Sequence, residues 1–168
     1  MIRLGRRQFV TGASGAAIAG LAGCTDGGDD QPPAERGPVS IDEFVFAASE
    51  PQAYGEYDER PDATYAPGSD VWLYASLEQL AAEEIDDGVR IHLDQRVRID
   101  TPEDETWLDE TETFRTELER AHLDRFYTRT PIGVPENALH GEYDVTIEFT
   151  DHVSDSTDGA SGTFTIEE

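Results

Sequence analysis

The 168-residue sequence contains no lysine, and its twelve basic residues, all arginines, face 37 aspartates and glutamates. This balance leaves no basic patch that could neutralise phosphates, so it argues against DNA or RNA as a partner. Such an acidic chain repels itself at low ionic strength, whereas molar salt shortens the screening length to about 3 Å. An acidic excess without lysine is therefore typical of proteins adapted to concentrated salt.

Sulfur-containing side chains are also scarce, because Cys24 is the only cysteine and Met1 the only methionine. One cysteine excludes an internal disulfide and a Cys-x-x-Cys redox motif. A blue-copper site is excluded as well, since it needs a cysteine thiolate and usually an axial methionine inside the fold. No Gly-x-Ser-x-Gly elbow marks a hydrolase nucleophile. We therefore predict a protein that is not an enzyme.

Two adjacent arginines near the N-terminus begin a targeting pattern. Arg6 and Arg7, followed at the second position by Phe9, resemble a twin-arginine export signal. The next stretch, 11–22, is interrupted by glycines and is too short and too weakly apolar for a membrane-spanning helix of about 20 residues. It ends in four residues that resemble the lipobox of exported lipoproteins: Leu21, Ala22, Gly23 and Cys24.

These patterns predict three segments. Residues 1–23 are expected to be a cleaved twin-arginine lipoprotein signal peptide, which leaves Cys24 as the lipidated N-terminus on the extracellular face of the cell membrane. Residues 24–38 are polar and rich in glycine, proline and acids, so they are expected to form a flexible tether of up to about 45 Å. Residues 39–168 are expected to form one domain. An unmodified Cys24 after an ordinary cleavage site is the alternative.

From residue 39 onward, apolar and polar residues alternate in short runs between turn residues, which predicts strands. The first run, around 39–46, changes register near Glu43, and this change predicts a β-bulge. The run 71–77 is apolar enough for a central strand. The run 89–99 predicts one long strand or two short ones.

The rest of the domain is less uniform in pattern. The segment 107–122 fits a helix stripe, but it also fits strands joined by a charged turn, and we favour strands. Alternation over 145–149 predicts a strand. A polar hairpin tip is expected at 151–162, followed by a closing strand at 164–166.

The sequence Leu139-His-Gly141-Glu-Tyr143 resembles the end of an immunoglobulin-like or fibronectin-type-III-like domain. The resemblance implies an all-β fold, an antiparallel β-sandwich of about seven strands. It also implies that Tyr143 lies at a tyrosine corner, with its hydroxyl bonded to nearby backbone. Together with the export signal and lipobox, the chain resembles small haloarchaeal lipoproteins. That likeness implies a cellular location and a fold but no activity.

Metal-binding patterns are weak. The histidines have no spacing typical of ligands for one metal, so we expect surface residues, and only the last two could meet across the final hairpin. Carboxylates at the predicted hairpin tip offer oxygen ligands of the kind that Ca²⁺ takes from flexible loops. We expect no cofactor and keep calcium as the alternative. The histidines are His92, His122, His140 and His152, and the carboxylates are Asp151, Asp155 and Asp158.

Aromatic residues could line a ligand surface or fill the core. We expect Trp72 and Phe126 in the core, because both lie in predicted strands. Tyr74, Trp107 and Tyr127 remain open between the two roles. In the loop-rich stretch 50–69 we expect an exposed surface, formed by Tyr54, Tyr57 and Tyr65.

An anchor, a spacer and a domain without a catalytic motif favour a non-catalytic surface lipoprotein. The membrane is the expected partner through the lipid on Cys24, and an unknown protein or glycan is the expected ligand. A calcium-dependent ligand-binding domain is the first alternative. An extracellular hydrolase whose site the sequence does not reveal is the second.

The targeting prediction is tested by two variants. Cys24→Ser removes the sulfur that would carry the lipid, so the protein should leave the membrane fraction and appear in the medium. Arg6→Lys with Arg7→Lys removes the export signal, so the precursor should stay inside the cell. Cell fractionation followed by immunoblotting measures both effects, and wild-type fractionation of both variants would show that the prediction is wrong.

Overall fold

The computed structural model describes residues 36–167, which form an all-β unit with one short 3-10 helix, Arg120–Arg125. The predicted signal peptide, the lipobox and most of the predicted tether lie outside these residues. Within them, no helix has the length and apolar character needed to span a membrane. The strands are β1 (Ser40–Ala47), β2 (Thr64–Tyr65), β3 (Asp70–Glu78), β4 (Glu83–Ile85), β5 (Gly88–Asp100), β6 (Thr106–Leu118), β7 (Phe126–Gly133), β8 (Gly141–Asp151) and β9 (Ser156–Ile166).

The strands form two sheets. The smaller sheet has the order β1-β3-β7 and is antiparallel. In the larger sheet the order is β2-β9-β8-β5, and both β4 and β6 also pair with β5. Only the short contact between β2 and β9 is parallel among these pairings. Strand β5 therefore holds the larger sheet together, because it pairs with β6 along nearly its whole length and with β8 from Leu93 onward.

One hydrophobic core draws side chains from both sheets. Because successive residues of a strand point to opposite faces, every second residue of β5 is buried. Those residues are apolar except at Gln95. The core side chains of the three central strands are Val71, Leu73, Ala75 and Leu77 of β3, Val89, Ile91, Leu93, Val97 and Ile99 of β5, and Tyr143, Val145, Ile147 and Phe149 of β8.

The loop between β1 and β2 covers the outer face of the smaller sheet. Tyr74 points outward from β3, yet it is fully buried because Tyr57 packs on its ring at 4.5 Å between centroids. Its hydroxyl also accepts a hydrogen bond from the backbone N–H of Gly55 at 2.9 Å. The predicted exposed tyrosine surface is therefore wrong for Tyr65, which is buried in the core, while Tyr54 and Tyr57 are half-buried.

Two predictions about the strands agree with the structure. The register of β1 against β3 shifts between Ile41 and Glu43, so the predicted bulge is present. The run 89–99 belongs to a single strand, β5.

The ambiguous segment 107–122 continues as strand β6 to Leu118, and the residues after Glu119 form the 3-10 helix. Residues 36–167 contain nine strands where about seven were predicted, and two of the nine contain only two and three residues.

The predicted hairpin tip at 151–162 is too long. The turn occupies only residues 152–155, and β9 begins at Ser156 and pairs with β8 throughout. Gly162, one of the small residues that suggested a loop, faces the rings of β1 instead. A Cβ at Gly162 would lie 3.0 Å from the ring of Phe46 and 3.4 Å from that of Phe44. Packing and not a turn therefore favours glycine at this position.

Trp72 also differs from its prediction. It alternates with the core residues Val71 and Leu73, so it points away from the core and is half-buried on the outer face of β3. Phe126 is partly buried against the edge of the core. The apolar run of β3 is continuous because both of its faces are covered, and sequence alone does not distinguish the two faces of such a run.

Tyr143 connects the start of β8 to the preceding loop. Its hydroxyl donates a hydrogen bond to the carbonyl oxygen of Leu139 at 3.0 Å, and its ring stacks on Phe164 at 5.1 Å. Burial raises the pKa of this hydroxyl above its ordinary value. The hydroxyl therefore stays protonated and able to donate at all physiological pH values.

Replacing Tyr143 by phenylalanine should lower the free energy of unfolding by about 1 kcal/mol, because it leaves the Leu139 carbonyl without this donor. Tyr54→Phe is the matched control, since the Tyr54 hydroxyl makes no hydrogen bond within residues 36–167, and it should change stability by less than about 0.5 kcal/mol. Chemical denaturation in molar salt measures both. Equal effects of the two variants would contradict the structural role of the Tyr143 hydroxyl.

Candidate functional site

A groove runs between the edge strands β6 and β7. In the larger sheet, Glu110 and Glu112 of β6 lie opposite the buried residues Val97 and Gln95 of β5, so they point to the inner face of the sheet. Both glutamates are nevertheless exposed. The smaller sheet ends at β7 and leaves this part of β6 uncovered. We call the space bounded by β6 and β7 the edge groove.

The edge groove consists of two depressions of about 410 and 430 Å³ that meet at Glu112. The first has apolar walls formed by Trp107, Leu108 and Ile132. The second combines the rings of Phe114 and Phe126 with basic side chains. One end of the groove is therefore apolar and the other is aromatic and cationic, with acids between them. The basic side chains of the second depression are His122, Arg125 and Arg129.

Gln95 places an unsatisfied polar atom at the floor of the first depression. Its side chain is only 2% exposed, and its Nε2 donates to the Thr130 hydroxyl at 2.7 Å. Its Oε1 is buried and has no hydrogen-bond partner within residues 36–167. A buried acceptor without a donor costs about 1–3 kcal/mol, so such an atom calls for a bound water or ligand. A donor that enters the groove would remove this cost.

The basic end of the groove is fixed by contacts with the loop over β3. Arg129 donates to the carbonyl oxygen of Pro51 at 3.0 Å and forms an ion pair with Glu50 at 2.8 Å. The guanidinium of Arg125 lies 5.9 Å from the ring centre of Tyr54. At the other end, Trp107 packs edge-on against Tyr143 at 5.5 Å. The walls of the groove are therefore held by contacts outside it.

A second cluster lies on the outer face of the larger sheet. His92 and Asp94 are two residues apart on β5 and share this face, and His152 follows the end of β8. The backbone N–H of His152 donates to the His92 carbonyl at 2.9 Å, and Nε2 of His152 lies 2.8 Å from Asp94 Oδ2. The two imidazole rings stack with centroids 4.1 Å apart. We call these three residues the histidine cluster.

The spacing of the histidines did not predict this cluster. The one meeting that it allowed, of His140 with His152, does not occur, because the whole eleven-residue strand β8 lies between them and spans more than about 30 Å. His122 is exposed in the 3-10 helix. The one signal in the sequence was His92-x-Asp94 within an alternating run, which places both side chains on one face. Its partner His152 is brought there by the register of β5 against β8.

The predicted calcium ligands are not brought together. Asp151 is fully buried, and its carboxylate accepts backbone hydrogen bonds from Ala81 and Val153 at 2.8 Å and from Ser154 at 3.3 Å. Asp158 accepts instead from the backbone N–H of Ile41 on β1 at 2.8 Å. Asp155 is exposed in the turn. Asp151 therefore organises the β8–β9 turn and attaches the chain after β3 to it.

Comparison with known proteins adds no relative with a shared function. No protein-family model and no curated protein matches the chain. Solved structures that resemble it include the C-terminal domain of wzt, with a TM-score of 0.45 and 8% identity over 80% of this chain and 76% of that one. The Pseudomonas fluorescens alkylpurine DNA glycosylase AlkC, bound to DNA with an abasic site analog, gives 0.44 and 11% over 78% of this chain. The sporulation control protein Spo0M from Bacillus subtilis gives 0.37 and 11% over 79%.

The chain spans 31% of the length of the glycosylase chain and 50% of that of Spo0M. All three TM-scores lie below 0.5, so these similarities carry no argument about the function of this protein. Its function has to be inferred from its own residues.

The role of Asp151 gives a stability prediction. Asp151→Ala leaves three backbone N–H groups without their acceptor in a buried position, so it should lower the free energy of unfolding by about 3 kcal/mol. Asp144→Ala removes an exposed carboxylate from the same strand and should change it by less than about 0.5 kcal/mol. Denaturation in molar salt with and without Ca²⁺ measures both. A small effect of Asp151→Ala, or stabilisation of the parent chain by Ca²⁺ that this variant loses, would contradict the structural role.

Proposed function

We propose that the chain is a non-catalytic, exported lipoprotein whose domain is an immunoglobulin-like β-sandwich tethered through Cys24 to the outer face of the cell membrane. Two largely antiparallel sheets around one core support the sandwich, and so does the hydrogen bond from Tyr143 to Leu139. Val39 is buried in that core, so at most 14 residues separate the domain from Cys24. The domain then stands close to the membrane and presents its surface to the outside.

The edge groove is the observation that carries the binding role. It combines partly apolar walls with one buried acceptor, Gln95 Oε1, that lacks a donor. Ligand sites in proteins have this composition, with mostly apolar lining and a few placed polar groups. The unpaired Gln95 Oε1 at the floor of the groove supports a binding role, because a donor from a ligand would satisfy it.

We propose an extended segment of a partner protein as the occupant. Within residues 36–167, β6 pairs only with β5 and β7 only with β3, so both strands that border the groove keep one free backbone edge. An extended peptide can add to such an edge through main-chain hydrogen bonds while its side chains enter pockets beside it. The direction in which the segment binds would be set by charge, because Glu110 and Glu112 are acidic and the other end of the groove carries arginines.

Site-specific photocrosslinking in the producing cells tests this function. A photoreactive phenylalanine analogue at Glu112 should give a discrete protein adduct, because this residue lies where the two depressions meet. The matched control carries the analogue at Thr163, which is exposed on the outer side of β9, and its adduct yield should be about tenfold lower. Truncation of Trp107 to alanine should reduce the Glu112 adduct by weakening the apolar end of the groove.

Equal adducts at the two positions, or none at Glu112, would contradict the proposal. An adduct that resists protease but is removed by glycosidases would indicate a glycan ligand and would overturn the choice of a protein segment. Mass spectrometry of the adduct identifies the partner and the peptide that lies in the groove.

A further inference from the structure

We propose that the histidine cluster, His92, Asp94 and His152, is a binding site for a first-row transition-metal dication of the Zn²⁺ type. The ligand atoms of the three side chains lie within 4.8 Å of one another. Within residues 36–167 no other group of three or more such residues comes together in this way. This inference is independent of the edge groove, which lies on the other face of the larger sheet.

The backbone fixes the positions of all three residues. His92 and Asp94 stand on β5 on either side of the fully buried Leu93, so their side chains must point outward together. The hydrogen bond from the His152 N–H to the His92 carbonyl places the second histidine beside the first. Two of the three residues thus stand on a paired strand, which holds ligands more firmly than a loop does, and the third is the first residue of the turn after β8.

The carboxylate is oriented by a residue from a third strand. Thr113 of β6 lies opposite Asp94, and its hydroxyl donates to Oδ1 at 2.6 Å. This bond leaves Oδ2 directed towards His152 at 2.8 Å. Hydrogen bonds from Thr113 and His152 lower the pKa of Asp94 below its ordinary value, so the carboxylate is ionised at neutral pH. Metal ligands commonly have such an outer partner that orients them.

An ion pair between His152 and Asp94 does not by itself explain the second imidazole. The two imidazole rings stack with centroids 4.1 Å apart, which brings two nitrogen donors together beside one carboxylate. Arg115 lies opposite His92 on β6 and adds a positive charge nearby. This charge opposes any cation at the cluster, so binding there has to come from coordination by the two nitrogens and the carboxylate.

The donor set indicates the class of metal. Imidazole nitrogen suits Zn²⁺, Cu²⁺ and Ni²⁺, whereas Ca²⁺ and Mg²⁺ take oxygen ligands. Three protein ligands leave a fourth position of a tetrahedral ion for water or for a ligand from another molecule. The half-exposed position of the cluster keeps that fourth position open to solvent.

Zinc binding is measured on the full chain carrying Cys24→Ser, because an unlipidated thiol would itself bind zinc. Competition with a chromophoric chelator is carried out in molar KCl with excess Mg²⁺, which saturates the acidic surface. We expect one equivalent of Zn²⁺ to bind. We expect the affinity to fall at least about tenfold in His92→Gln, His152→Gln and Asp94→Asn. His122→Gln, an exposed histidine outside the cluster, is the matched control and should bind like the parent.

Two further readouts separate coordination from loss of folding. Zn²⁺ should raise the melting temperature of the parent and of His122→Gln but not of the three cluster variants. Thr113→Val keeps all three ligands but removes the group that orients Asp94, so it should weaken binding without abolishing it. Absence of one-equivalent binding in the Cys24→Ser chain, or equal binding by the cluster variants and the control, would overturn the proposal.

Discussion

The register of β5 against its neighbours is the constraint on which both sites depend. β5 pairs with β6 on one side and with β8 on the other, so each of its residues has a fixed partner in two strands. A shift of one residue would exchange the two faces of the strand, and Ile91 and Leu93 would reach solvent while His92 and Asp94 entered the core. The burial of the apolar face therefore also holds the histidine cluster in place.

The edge groove results from the unequal size of the two sheets. Three strands cannot cover a sheet whose order continues beyond β5 to β6, so the inner face of β6 ends in exposed glutamates. Gln95 lies at the border between the covered and uncovered parts of this face. Its buried amide fits neither a closed core, which would favour an apolar residue, nor an open surface, which would hydrate it. Such a position is suited to a ligand that completes it.

Two ion pairs on the outer face of the larger sheet are formed by arginines of β5. Arg96 donates two hydrogen bonds to Asp109 at 2.7 Å, and Arg98 donates to Asp100. Each guanidinium lowers the pKa of the carboxylate that it contacts. Exposed pairs of this kind add little stability, particularly in concentrated salt. Their effect is local, because each places a positive charge next to the carboxylate that it holds.

Features that depend on neighbouring residues could be predicted from the sequence. Alternation along 89–99 and the register change near Glu43 reflect the two-residue period of a strand, and helix patterns are few, so an all-β fold was predictable. The targeting motif at Arg6 and Arg7 and the lipobox before Cys24 are local patterns of the same kind. They remain predictions, because they lie outside residues 36–167.

Which distant residues meet depends on the fold and could not be predicted from the sequence. Asp151, read as a calcium ligand from its acidic neighbours, accepts hydrogen bonds from backbone that includes Ala81, 70 residues earlier in the chain. His152 meets His92 through the pairing of β8 with β5, and Gln95 faces a groove because β7 is the last strand of the smaller sheet. Local spacing carries no information about strand order or register over such distances. Both are set by the burial of one shared core, to which the whole folded chain contributes.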